Sequence, residues 1–401
     1  MKVSIIGQGY VGLTISAFAG EFYEVVGFDN NQKIVDQLNQ GISHIEGVES
    51  SVLKSWIKAG RYKATTNGAD INGSDIVVIA VPTPLSKDRQ PDLTFIEAAC
   101  KTVGENLKNP ALIINESTSF PGTIRNYIKP AIEKHSGGSV EHLYAISPER
   151  VDPGRGDFNQ KNTPRLYAGL TPEASAKTRE FYSKFCDQLV EVSSPEVAEA
   201  AKLFENTFRQ VNIALVNEFA QITNALGISV YETLDAANTK PYGFMKFTPS
   251  AGVGGHCIPV DPSYLAAVAE ERGVPATFIR RANEVNLEMS KYVVDRVEAD
   301  NGGSLQGKSV LVVGVAYKPN VADVRETAAE LVIEHLRSRG AVVAWHDDVV
   351  DTWHGEKSSD LNGADIAIVI TKHDAVDAKA IMASAPYVFD TTGKLPQAHG
   401  L

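Results

Sequence analysis

Short runs rich in Val and Ile recur through the first half of the chain, at residues 3–6, 25–29, 75–81, 112–116 and 143–147, with amphipathic stretches between them. Runs of this length, bounded by turn residues, read as buried strands, and their alternation with helical patterns predicts βαβ units on a parallel sheet. Residues 197–226 differ: Leu203, Phe204, Phe208, Val211, Leu215 and Phe219 follow one another at helical intervals. This predicts a single long helix, too apolar for an ordinary surface helix, that crosses between domains or packs against a second subunit. After the glycine-rich 301–303 the strand pattern returns at 309–315, 341–345, 364–371 and 387–390. The predicted fold is α/β, with two Rossmann-like doubly wound parallel-sheet domains, 1–194 and 301–401, joined by a helical central domain, 195–300, that carries the long helix. Such a layout puts a ligand cleft between domains.

The first strand runs directly into Gly7-Gln8-Gly9-Tyr10-Val11-Gly12. In a G-x-G-x-x-G turn between strand and helix, Gly7 permits the tight turn, Gly9 lets the backbone approach a pyrophosphate, and Gly12 lets helix and strand pack closely. The helix N-terminus then offers N–H groups to that anion. A glycine turn alone is weak evidence, but Asp29 ends the next strand near the offset expected for an acid that binds a ribose. Asp29, followed by neutral Asn30 and Asn31, would repel a 2′-phosphate, so NAD is expected rather than NADP.

Composition narrows the class. Hydrophobic residues at 43% and charged residues at 22% describe a folded globular chain rather than a disordered one. No secretory leader is expected, because residues 1–7 read as a strand and a glycine turn, and no apolar run approaches the ~20 residues of a membrane helix. A net charge of −11 disfavours nucleic acid and anionic membrane as partners. The three cysteines form no CxxC pair and no zinc spacing, so no metal and a reducing, cytoplasmic setting are expected. Cys100 and Cys186 read as small buried hydrophobes. Cys257 stands apart, in the polar loop Gly254-Gly255-His256-Cys257-Ile258-Pro259-Val260-Asp261.

Seven collinear motifs give the chain a resemblance to the UDP-glucose/GDP-mannose dehydrogenase family over nearly its whole length. They are the glycine turn, Val81-Pro82-Thr83-Pro84-Leu85, Glu116-Ser117-Thr118 with Pro121-Gly122-Thr123, Ser147-Pro148-Glu149-Arg150, Lys202-Leu203 with Asn206, the cysteine loop, and Ala316-Tyr317-Lys318-Pro319-Asn320 with Arg325-Glu326. The resemblance implies a homodimeric oxidoreductase that spends two NAD and one water to convert a C6 hydroxymethyl into a carboxylate. It implies that Gly7, Gly9, Tyr10, Val11, Gly12, Asp29, Pro82, Thr83, Ser117 and Thr118 hold the cofactor. Lys202 and Asn206 then face the oxygen that develops negative charge, and Cys257 adds to the aldehyde and carries the acyl group as a thioester. Asp261, Thr118 and Glu149 are the candidates for activating water, with the base among them left open. Glu149, Arg150, Lys202, Asn206, Gly254, Gly255, His256, Lys318 and Arg325 are expected on the substrate.

Lys318 and Arg325 follow a strand where the first domain has its pyrophosphate turn, but the glycines are missing there; two cations suit a diphosphate, and the bland alternative is an ion pair with Asp323 or Glu326. Residues 239–244 and 255–261 resemble the branch that acts on UDP-N-acetylhexosamines, with His256 and Val260 where the UDP-glucose branch has serine and lysine. UDP-N-acetylglucosamine or its manno epimer is therefore expected first and UDP-glucose second, although Thr248-Pro249-Ser250-Ala251 departs from that branch. Two further readings remain: a two-electron hydroxyacid dehydrogenase, which needs no cysteine, and a non-catalytic NAD-binding protein.

Overall fold

The computed structural model describes every residue except 46, 87–88, 152–156 and 256–257, and the chain divides into two compact units, Met1–Glu205 and Asn206–Leu401. The first unit is built on eight strands: β1 Lys2–Ile6, β2 Glu24–Phe28, β3 Tyr62–Thr65, β4 Ile76–Ile79, β5 Leu112–Asn115, β6 Leu143–Ile146, β7 Arg165–Gly169 and β8 Leu189–Glu191. They lie in the order β3-β2-β1-β4-β5-β6-β7-β8. Pairing is parallel throughout except between β6 and β7. The all-apolar runs form central strands because both faces are covered: Ile76 and Val78 enter one core cluster, Val77 and Ile79 the other. Reversal of chain order at β1 puts the ends of β1 and β4 at a topological switch point, where open α/β sheets bind ligands.

The second unit carries another parallel sheet. Its strands are β9 Ser309–Val313, β10 Val342–His346, β13 Ile366–Val369, β14 Tyr387–Asp390 and β15 His399–Gly400, in the order β10-β9-β13-β14-β15; β11 Thr352–Trp353 and β12 Glu356–Lys357 form a separate ribbon. One face of this sheet shares a core with helical residues such as Ala220, Val293 and Val297. The other is covered through Leu311, Val313, Ala367 and Val369. The long helix spans Pro195–Ala225 and runs through the boundary between the units. No helix among the described residues is long and apolar enough to cross a membrane.

Both sheets open with the same turn. Gly7 follows β1 with φ 91°, and its N–H donates to Phe28 O at 2.8 Å. Gly314 follows β9 with φ 85°, and its N–H donates to His346 O at 2.8 Å. A Cβ on Gly7 would meet the carbonyl of Ala80, and one on Gly314 the carbonyl of Thr371. The expectation that the second half lacks turn glycines is thus corrected: one glycine performs the reversal there.

Gly314→Ala and Gly302→Ala separate the two constraints, since Gly302 also has a positive φ, 86°, but open space where its Cβ would be. Gly302→Ala is expected to cost about 1–2 kcal/mol from backbone strain. Gly314→Ala is expected to cost about 1–3 kcal/mol more because a carbonyl must move. Urea midpoints check this, and equal losses would contradict it.

Candidate active site

The ends of the parallel strands β1, β2, β4, β5 and β6 lie along one edge of the first sheet, and most of the first unit's predicted site residues are at or just beyond them. Gly9 caps the helix Tyr10–Ala19, and nothing lies within 4 Å of where its Cβ would stand. A Cβ on Gly12 would strike the Gly7 carbonyl, so its smallness serves packing. Tyr10 and Val11 begin that helix, both half-buried. The Asp29 carboxylate accepts from Gln8 N and Asn31 N, each at 2.9 Å, and remains only half-buried. An open cradle of backbone, a helix N-terminus without a side-chain cap and a half-buried acid fit a dinucleotide. Ser117 Oγ accepts from Val81 N at 2.8 Å and so ties the β5 end to the strand-exit segment bearing Pro82 and Thr83. Thr118 is half-buried beside it.

Glu149 follows β6 and is held on all sides. Its Oε1 accepts the backbone N–H of Arg150 and of Val151, each at 2.6 Å, and its Oε2 lies 3.1 Å from Arg165 Nη2. Arg165 also reaches Glu116 Oε2 at 3.0 Å and the Ser147 hydroxyl at 3.0 Å, and lies over the Tyr182 ring at 4.5 Å. Tyr182 donates to the other oxygen of Glu116. One buried cation thus sits between two carboxylates. Burial pushes Glu116 up to about 7 against the pull of Arg165. For Glu149 burial acts the same way but is outweighed by Arg165, the two N–H donors and the nearby Lys202 ammonium, which hold it below the usual carboxylate range. Arg150 is engaged elsewhere, with Glu205 at 2.7 Å and the Pro164 carbonyl at 2.6 Å.

The second unit collects another set. Asn206 Nδ2 donates to Asp261 Oδ2 at 2.5 Å, and Asp261, fully buried, opens the helix Asp261–Glu271. Gly255 N donates to Arg325 O at 2.9 Å, and a Cβ on Gly254 or Gly255 would meet Tyr317 at 2.8 Å. The glycines before the cysteine therefore let the 254–255 backbone lie against the 317–326 segment. Lys318 lies over the Tyr317 ring at 5.7 Å. Arg325 grips Asp323 with contacts of 2.6 and 3.0 Å on an exposed surface, the ion pair weighed from sequence. His256 and Cys257 lie outside the described residues. Cys100 and Cys186 are buried, and burial pushes their thiols up to about 12 and about 11.

Some partnerships escaped the sequence reading. Arg165 begins β7 and Glu116, read only as part of a motif, follows β5, so no local spacing pairs them. Glu199 makes another: from the long helix its carboxylate accepts from Gly122 N at 2.6 Å, Ile124 N at 3.1 Å and Ser119 Oγ at 3.3 Å, fixing the loop after Thr118. Its i+3 relation to Lys202 was visible in sequence, but its partners were not.

Comparison with known proteins gives three consecutive matches to the UDP-glucose/GDP-mannose dehydrogenase family: its NAD binding domain at residues 1–186, its central domain at 196–288 and its UDP binding domain at 311–397. UDP-N-acetyl-D-mannosamine dehydrogenase of Pyrococcus horikoshii is 35% identical over 93% of this chain and 90% of its own. UDP-N-acetyl-D-glucosamine 6-dehydrogenase of Pseudomonas aeruginosa is 36% identical over 88% and 83%. The solved structure of the Pyrococcus horikoshii UDP-D-ManNAc dehydrogenase superposes with a TM-score of 0.88 at 33% identity, covering 98% of this chain and 95% of that one.

Arg165→Met should cost about 3–5 kcal/mol in urea unfolding, because the buried Glu149 carboxylate loses its counterion. Glu116 supplies a pH signature. Its folded pKa is raised, so its contribution to stability is complete below its unfolded value and is lost as pH rises through about 7. Glu116→Gln should therefore lose less stability than the parent between pH 5 and pH 8 (roughly the window set by a rise from ~4.3), and identical slopes would contradict the assignment.

Proposed function

This chain belongs to the UDP-glucose/GDP-mannose dehydrogenase family, and from that premise we propose that it oxidises the C6 alcohol of a UDP-N-acetylhexosamine, the gluco or manno epimer, to the uronic acid. The observation that carries the reading is the match of all three family domains in order, together with relatives named for these two sugars. The family's first domain makes the enzyme NAD-dependent. NAD, when bound, takes up a hydride in each of two oxidations. Gly7, Gly9, Tyr10, Val11, Gly12 and Asp29 would hold it, with Pro82, Thr83, Ser117 and Thr118 at the neighbouring strand ends.

The chain's own groups then have the following work. Loss of hydride from C6 leaves the alcohol proton to a base, while Lys202 and Asn206 stabilise charge on the oxygen. The Cys257 thiolate adds to the aldehyde carbon and forms a C–S bond. Removal of the second hydride from the thiohemiacetal leaves a thioester. Water cleaves it, releasing carboxylate and thiol. Asp261 and Thr118 are each candidates for orienting that water. Glu149 is less suited to accept a proton, since its oxygens are occupied by Arg165 and two backbone N–H groups. Arg150, Gly254, Gly255, His256, Lys318 and Arg325 are assigned to binding the UDP-sugar, with Arg325 turning from Asp323 to the diphosphate.

The reading is of a cytoplasmic homodimer. Phe204, Phe208, Leu215, Ile222 and Leu226 are all exposed along the long helix and its end, at intervals of four and seven. That spacing makes one apolar stripe, which a second copy about a twofold axis would bury.

Three measurements test this. With NAD and a panel of UDP-N-acetylglucosamine, UDP-N-acetylmannosamine, UDP-N-acetylgalactosamine, UDP-glucose and GDP-mannose, one of the first two should give two NADH per sugar and a carboxylate product. One NADH per sugar would instead favour a hydroxyacid-type dehydrogenase. NADP should be used at least about tenfold less efficiently, because Asp29 repels its phosphate. Cys257→Ser should bind NAD and UDP-sugar but lose carboxylate formation by about 1,000-fold or more; turnover like the parent's would rule out covalent catalysis.

A further inference from the structure

The acid that ends the second strand has opposite surroundings in the two units. Asp29 is only half-buried, and two backbone N–H groups occupy its carboxylate. Asp347, its counterpart after β10, is almost fully buried and saturated. Its Oδ2 accepts from Val315 N at 2.8 Å and Ala316 N at 3.0 Å; its Oδ1 accepts from Val349 N at 2.9 Å and Val350 N at 3.1 Å. Burial would push this carboxyl up, but these donors and His373 bring it down to about 2. A carboxylate has about four lone-pair sites. Asp347 therefore has nothing left to offer a ribose, and the second unit's turn is closed to the contact that Asp29 leaves open.

His373, 1% exposed after β13, completes the enclosure. Its Nε2 lies 3.0 Å from Asp347 Oδ1, and its Nδ1 accepts from Asn320 N at 2.8 Å. Nδ1 accepts an N–H, so the nitrogen left to carry a ring proton is Nε2, which lies in contact distance of the carboxylate. One imidazole thus touches both ends of segment 315–320: Asp347, which binds Val315 and Ala316, and Asn320 itself. Asn320 adopts φ 65° and exchanges two side-chain hydrogen bonds with Asp374, at 2.7 and 3.0 Å.

We propose that His373 is a positioning residue for nucleotide binding: by pinning both ends of segment 315–320 it presents Tyr317 and Lys318 to a uridine diphosphate in one conformation. The proposal rests on the reading above that Lys318 meets the diphosphate. Its energetic basis is pre-organisation, since a loop ordered before binding does not lose that entropy on binding.

The test uses the full-length enzyme with UDP and NADH as separate probes. His373→Gln keeps a donor where Nε2 was and removes the acceptor for Asn320. His373→Asn keeps an acceptor where Nδ1 was. UDP dissociation constants from calorimetry should rise about tenfold in His373→Gln and recover to within about threefold in His373→Asn. NADH affinity should not change, and KM for the UDP-sugar should rise with kcat held. Lys318→Ala tests the underlying reading: if it binds UDP like the parent, that reading fails. If it weakens UDP while His373→Gln does not, this inference alone fails. Equal loss of UDP and NADH affinity in His373→Gln, with a lowered melting temperature, would reveal a merely structural role and overturn the proposal. Should the variants not fold, hydrogen exchange on the parent decides. Peptides covering 315–320 should be protected before UDP is added, and exchange as fast as in the 301–304 turn would overturn the idea.

Discussion

Everything placed at the strand ends depends on how a chain leaving the first strand of a parallel sheet satisfies its backbone N–H groups. In both units the answer is a left-handed glycine whose N–H takes the neighbouring strand's last carbonyl, followed by donors received by a carboxylate just beyond that strand. Gln8 N meets Asp29 in the first unit, and Val315 and Ala316 meet Asp347 in the second. Unmet donors at these buried positions would cost more than the hydrogen bonds contribute. The acid is needed for the turn before it is needed for any ligand. What separates the units is how much of that acid remains after the turn has been satisfied.

The buried Arg165 imposes a comparable constraint on the far side of the first sheet. It lies at the start of β7, the strand that pairs antiparallel to β6, and so can reach back to Glu149 just beyond the β6 end. A single guanidinium cannot neutralise both Glu116 and Glu149. The proton therefore favours Glu116, and Glu149 remains an anion near Lys202. The proposal that Glu149 is less suited than its neighbours to accept a proton rests on that unequal division.

Much of this was readable in the sequence where the signal is local. The Val/Ile runs, the glycine turn and the long helix carry their periodicity within a few residues, and strands and helix formed where that periodicity lies. Strands β3, β7 and β8 gave no such signal: Tyr62-Lys63-Ala64-Thr65 and Arg165-Leu166-Tyr167-Ala168-Gly169 contain charges that read as surface, although Arg165 is buried because its partners are distant in sequence. Gly314 was overlooked because the motif sought several glycines, while the turn needs one. His373 sits in an unremarkable Thr-Lys-His-Asp stretch, and its importance arises only when Asp347 and Asn320 are brought to it. Family motifs supplied the expected roles of Lys202, Asn206 and Asp261, and the fold adds the Asn206–Asp261 hydrogen bond that no spacing announces.

The walls around Cys100 and Cys186 bear on how the protein meets oxidants. Peroxide attacks the thiolate, and thiols raised to about 12 and about 11 present almost none at neutral pH. Oxidation by this route is thereby disfavoured at these two sulfurs.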